Sequence, residues 1–221
     1  NITLEAGTNA SASNPALSFS DAAALNSSGL GTGTGGTINV ENNHTSGTIV
    51  FNNGATFNAT GGGTDGDGGT LQIDARNLVI NGATPIVFNA DGGGTGNGGT
   101  IIVTTGDVAA DLDATLMTFN ARSGTTGGNG GSVTLSAGNN LILDASSINI
   151  DPRGTDGNGG TIVLTSGAVA ASGATMQVTG ALSADAVGIG SGGTITINYN
   201  NNAVDTLTIG AASGNSYISG A

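Results

Sequence analysis

The chain has 221 residues, 42 of them glycine, with no lysine, three arginines, no cysteine and a net charge of −12. That balance excludes a basic face able to neutralise phosphates, and nucleic-acid binding with it; it also speaks against attraction to anionic lipid. Without cysteine there are no disulfides, no thiolate catalysis and no zinc–thiolate site, and no apolar run approaches the roughly 20 residues of a membrane helix.

A glycine load of this size often accompanies disorder. Here valine, isoleucine and leucine recur in ordered positions and only 8% of residues are charged, unlike a disordered chain. The sequence starts at Asn1 without a methionine or a signal peptide, which fits a processed product or an excerpt of a longer protein.

Residues 1–34 are polar and read as an irregular N-terminal coil or cap. From 35 to 198 the chain repeats. A Gly-Gly doublet stands before Thr37, Thr70, Thr100, Ser132, Thr161 and Thr194, at spacings of 33, 30, 32, 29 and 33. A fixed period in this range signals a solenoid or another array. The strands after the doublets read TINV, TLQI, TIIV, SVTL, TIVL and TITI, with apolar residues at alternate positions. The inward residues are then Ile38 and Val40, Leu71 and Ile73, Ile101 and Val103, Val133 and Leu135, Ile162 and Leu164, and Ile195 and Ile197.

Two more runs follow in each unit. One includes Ile49, Leu78 with Ile80, Val108, Leu141 with Leu143, and Val169. The other ends at Phe19, Phe57, Phe88, Phe119, Ile150 and Val178, which predicts an inner column of stacked side chains, with the aliphatics of both runs filling the rest of the tube. Residues 199–221 continue in strand-like fashion as a final incomplete coil. Three strands and about 31 residues per turn make an all-β fold. We read 1–221 as one right-handed parallel β-helix of six to seven coils, spaced about 4.8 Å apart along the axis.

Glycine suits the corners because it allows sharp turns and close approach of neighbouring coils. Just before the doublets stand Thr34, Asp67, Asn97, Asn129, Asn158 and Ser191. Of these, Asp67, Asn97, Asn129 and Asn158 predict a hydrogen-bonded ladder along one corner. The stretches from Phe19 to Thr37 and from Val178 to Thr194 are longer than the others, so loops should leave the tube near 20–34 and 180–191.

Residues able to carry chemistry are sparse. The one histidine, His44, lies in a polar turn and reads as a solvated loop residue. Asp107, Asp111 and Asp113 form a weak calcium candidate, since calcium takes six to eight oxygens, but the cluster does not recur in other coils. Asp65 and Asp67 resemble calcium-binding glycine-aspartate repeats only in part, because those recur every nine residues. Asp74 with Arg76 is no convincing acid–base pair, and a glycosidase needs two carboxyls at a set separation. Arg122 and Arg153 occupy equivalent slots and should stack, with Asp151 offsetting their repulsion. A row of five threonines and one serine opens the doublet strands. Its companion row (Asn39, Gln72, Ile102, Thr134, Val163, Thr196) is too irregular for an ice-binding lattice. The N-glycosylation pattern occurs at Asn9, Asn26, Asn43 and Asn58.

The units GNGGTIIVTTGDV, GNGGSVTLSAGNNLIL and GNGGTIVLTSGAV resemble the β-helical repeats of filamentous-haemagglutinin-like bacterial surface proteins, over about residues 35–198. The resemblance implies a secreted protein at the bacterial cell surface or outside the cell, used in adhesion, biofilm matrix or cell contact; the lack of an acid–base constellation adds the expectation that it is not an enzyme. The family's secretion domain carries an Asn-Pro motif; Asn14-Pro15 is present here, but its surroundings match poorly and no role is carried across. The expected function is a shaft, filament or matrix element without a cofactor. Its expected partners are neighbouring copies or further repeats of itself, because solenoid ends are templates for more strands. The alternatives are an adhesin or carbohydrate-binding module that contacts surface glycans or host-cell receptors through its corner loops, and a polysaccharide-acting enzyme.

Overall fold

A computed structural model describes residues 1–6, 16–42, 44–168, 174–199, 206–209 and 218–219. Coil one runs through β1 (Ile2–Ala6), β2 (Ala16–Phe19) and β3 (Ala24–Asn26); coil two through β4 (Thr37–Asn42), β5 (Thr48–Phe51) and β6 (Thr56–Asn58). Coil three holds β7 (Thr70–Ala75), β8 (Asn77–Ile80) and β9 (Ile86–Asn89); coil four β10 (Thr100–Thr105), β11 (Leu112–Asp113) and β12 (Met117–Asn120). Coil five holds β13 (Ser132–Ser136), β14 (Leu141–Asp144), a 3-10 turn at Ala145–Ser147 and β15 (Ile148–Asn149). Coil six holds β16 (Thr161–Ser166), β17 (Thr175–Thr179) and β18 (Leu182–Ser183); the last has β19 (Thr194–Tyr199), β20 (Thr206–Ile209) and β21 (Ile218–Ser219).

The molecule is a parallel β-solenoid of about six turns with about 32 residues per turn. Its first face is one sheet in the order β1-β4-β7-β10-β13-β16-β19. The register places the residues that follow the doublets on top of one another, as in Thr70↔Thr100↔Ser132↔Thr161↔Thr194. Alternation then sends every second residue inward. Ile38, Val40, Leu71, Ile73, Ile101, Val103, Val133, Leu135, Ile162 and Leu164 are all buried. Ile195 and Ile197 are partly buried against the same core.

The doublet fits because both of its glycines touch backbone. A methyl group on Gly98 would lie 1.9 Å from the carbonyl oxygen of Ala121 in the next coil, and one on Gly99 would lie 2.1 Å from that of Gly69 in the previous coil. Hydrogen bonds pin this approach: Gly98 N–H donates to Asn129 O and Gly99 N–H to Ala90 O, at 2.9 and 2.7 Å.

Phe57, Phe88 and Phe119 form the predicted column on the third face, in the order β3-β6-β9-β12-β15. Their ring centroids are 5.1 and 5.4 Å apart, nearly parallel. Three assignments to this column are corrected. Phe19 belongs to the second face, opposite Phe51, and Leu25 stands opposite Phe57. Ile150 is buried but lies one inward step beyond the column; Ile148 stands opposite Phe119. Val178 stands opposite Leu143 on the second face, because coil six has a longer approach to that face. In each case a change in corner length moved an apolar residue to a neighbouring slot.

The second face is two sheets, β2-β5-β8 and β11-β14-β17-β20. Coil four causes the break. Asp107 N–H donates to Arg76 O at 3.1 Å, and Ala110 N–H then closes a turn onto Asp107 O at 3.0 Å. This turn throws Val108 outward to 62% exposure, against the expectation that it faces the core, and Leu112 takes the place opposite Leu141. The described parts of residues 1–34 are also more regular than a cap: β1, β2 and β3 each pair in register with coil two. Likewise β20 and β21 carry the last coil onto two further faces. Val169, Asn9, Asn43 and Asn14-Pro15 lie outside the described residues.

Candidate functional site

The predicted corner ladder is present. Asn97 donates to Asp67 Oδ1 through its backbone N–H at 2.7 Å and Nδ2 at 3.0 Å. Asn129 does the same to Asn97 Oδ1, at 2.9 and 3.0 Å. The backbone N–H of Asn158 continues the row onto Asn129 Oδ1 at 2.9 Å, and that of Ser191 onto Asn158 Oδ1 at 2.8 Å. A second asparagine row went unread in the sequence: Asn26, Asn58, Asn89, Asn120 and Asn149 are in register along the third face. Asn149 Nδ2 donates to Asn120 Oδ1 at 2.9 Å. Its signal was the asparagine after the phenylalanine in FNA, repeated at the period of the coil. Two glycosylation-pattern residues, Asn26 and Asn58, belong to this row.

Charge is handled by a few local pairs. Arg122 Nη2 lies 2.9 Å and Arg153 Nη1 3.3 Å from Asp91 Oδ2, in a largely buried setting. The two arginines do come together, but Asp91 bridges them; Asp151 instead accepts from Ser183 Oγ and Asp185 N–H. Arg153 also donates to the carbonyls of Ser123 and Gly92, so it ties three coils together. Arg76 reaches Asp107 at 3.8 Å. His44 is buried rather than solvated: its Nδ1 accepts from Ser46 N–H at 3.1 Å and lies 3.0 Å from Ser46 Oγ.

On the outer side of the first face, Glu5, Glu41 and Asp74 stand in register one coil apart. Burial, and then the charge of Glu41, push the Asp74 carboxyl above its ordinary pKa, while Arg76 opposes the shift. The fold therefore favours the neutral acid. Stability from this group is fullest at low pH and is lost as pH rises into and through the raised folded pKa. Asp74→Asn should stabilise the protein at neutral pH by up to about 1 kcal/mol, the scale of a cross-strand charge pair. Melting curves against pH check this: the gain should shrink as the medium is acidified and wild-type Asp74 takes up its proton.

Asp107, Asp111 and Asp113 are close in sequence but engaged separately. Asp107 accepts from Ala109 N–H, Asp111 from Asn139 Nδ2 and Asn140 N–H, and Asp113 from Thr115 N–H and Oγ1. Among the described residues no three His, Asp or Glu side chains gather as a metal site. Asp111 and Asp113 do edge a cleft of about 160 Å³, whose other walls are Leu78, Ile80, Thr115 and Leu116. It opens where the second face breaks.

No helix among the described residues is long and apolar enough to cross a membrane. No protein-family model, curated protein or solved structure matches the chain. The architecture is compatible with β-helical repeat proteins.

Proposed function

We propose that the chain is an extracellular, non-enzymatic structural element of a bacterial surface: a shaft, filament or matrix component in which length and stiffness are the function. The observation that supports this reading is the first face, where seven strands remain in one sheet from β1 to β19. Most of the chain's regularity serves axial stacking: the glycine doublets, the phenylalanine column and the asparagine rows. The likeness of its repeats to filamentous-haemagglutinin-like proteins points the same way. Neighbouring repeats or copies of the chain would continue the stack, because a solenoid coil interacts chiefly with its neighbours.

Immunogold electron microscopy of intact producing cells tests the reading. Label should decorate the cell exterior or fibres around it; label confined to the cell interior would overturn it. A second reading, an adhesin working through its corner loops, is favoured by Leu30 and Ile189, which are 90% and 93% exposed in the loops near 20–34 and 180–191. Glycan-array binding that disappears when those loops are shortened would select it.

A further inference from the structure

We propose that the break in the second face is a docking site for an extended segment of another protein that presents a lysine or arginine. The first ground is the backbone of β8. Asn77 and Asn81 donate their N–H groups to Gly47 and Phe51 in coil two, at 3.0 and 2.8 Å. In a parallel pair the intervening residues turn their amide groups to the opposite edge, so Leu78 and Ile80 face coil four. There the chain turns out at Asp107–Ala110, and β8 ends its sheet. An open strand edge of this kind accepts an added strand.

The second ground is the cleft beside that edge. Its volume of about 160 Å³ is well below the roughly 300–1,000 Å³ of a small-molecule pocket, but it suits a single long side chain. Leu78, Ile80 and Leu116 offer apolar wall for an aliphatic stem, and Asp111 and Asp113 stand where a charged head would emerge, the arrangement that long basic side chains favour. Two of the exposed large apolar residues also flank the break: Val79 on β8 and Val108 in the outward turn.

Charge decides whose segment it is. The chain has no lysine, and each of its three arginines is already paired with an aspartate of its own chain. A second copy therefore has no free basic side chain to offer, whereas a basic partner would be drawn to a molecule of charge −12. The site concerns the middle of the solenoid and stands whether or not the chain serves as a shaft.

The test is fluorescence anisotropy with a dye-labelled, end-blocked pentapeptide of alternating lysine and valine. It should bind the wild-type chain, and binding should weaken at least tenfold to Asp111→Asn/Asp113→Asn and to Leu116→Trp, which fills the cleft. A peptide with glutamate in place of lysine should not bind, and one N-methylated at alternate amides should lose at least tenfold. Equal binding to wild type and the double asparagine variant would reveal non-specific attraction and overturn the proposal. So would the absence of binding at low salt, or undiminished binding of the N-methylated peptide. If Leu116→Trp fails to fold, the asparagine variant decides, because both aspartates are exposed and asparagine keeps their hydrogen-bond acceptors.

Discussion

Phe88→Ala should lower stability by about 3–5 kcal/mol, the range for removing a buried phenylalanine. The ring has no exposed surface. It lies between Phe57 and Phe119, with interplanar angles of 12° and 8°, and meets Phe51 edge-on at 6.2 Å. Stacked and edge-on pairs add about 0.5–1.5 kcal/mol beyond the area they bury. The hole left behind cannot close easily. Val87 N–H is held on Ala55 O and Ile86 N–H on Leu116 O, at 2.9 and 2.8 Å, so the backbones above and below keep their spacing. Denaturant titration measures the loss, and a value below about 1 kcal/mol would mean that the ring is not in the core at all.

Gly98→Ala should be nearly as severe, at about 3 kcal/mol, although it adds a single carbon to a crowded site. The methyl would meet the Ala121 carbonyl oxygen at 1.9 Å and the Gly131 nitrogen at 2.6 Å. Both belong to backbone that is hydrogen-bonded between coils, so neither can swing aside as a side chain would. Gly63 supplies the control: among the described residues a methyl there has nothing within 4 Å, and the residue has no positive φ. Gly63→Ala should therefore leave the melting temperature unchanged or slightly raised, since it restricts the unfolded chain. If both variants melt alike, the doublets are not set by contact between coils.

These two positions also show how much of the fold was legible. The doublet period, the inward pairs such as Ile101 with Val103, and the Asp67–Asn158 ladder could be read because one local rule repeats with every turn. Reading failed where corner length varies. Phe19 and Val178 each end an apolar run, as Phe88 does, yet longer or shorter corners carry them to the second face. Val108 was misread for a related reason: its turn depends on Asp107 capturing Arg76 O across coils, a contact that no alternating pattern encodes. The same event opens the cleft at Leu78, so the candidate site was hidden with it. Asp91 escaped notice because its partners Arg122 and Arg153 are one and two coils away, and sequence spacing shows the slots but not which acid fills the gap.

The corner ladder has one more consequence. In each of its side-chain links the carboxamide of the later coil gives its hydrogen to the earlier one, from Asn129 to Asn97 and from Asn97 to Asp67. The rod is thus vectorial, with a distinguishable top and bottom even where the side chains look alike. A carboxylate has no hydrogen to pass on, so Asp67 is a full stop at one extremity of the row. At the other, Asn158 receives the Ser191 amide, and serine there breaks the run of carboxamides. Any lengthening of this row by a further asparagine must therefore proceed in one sense only, and two such rods meeting tail to tail could not merge their rows.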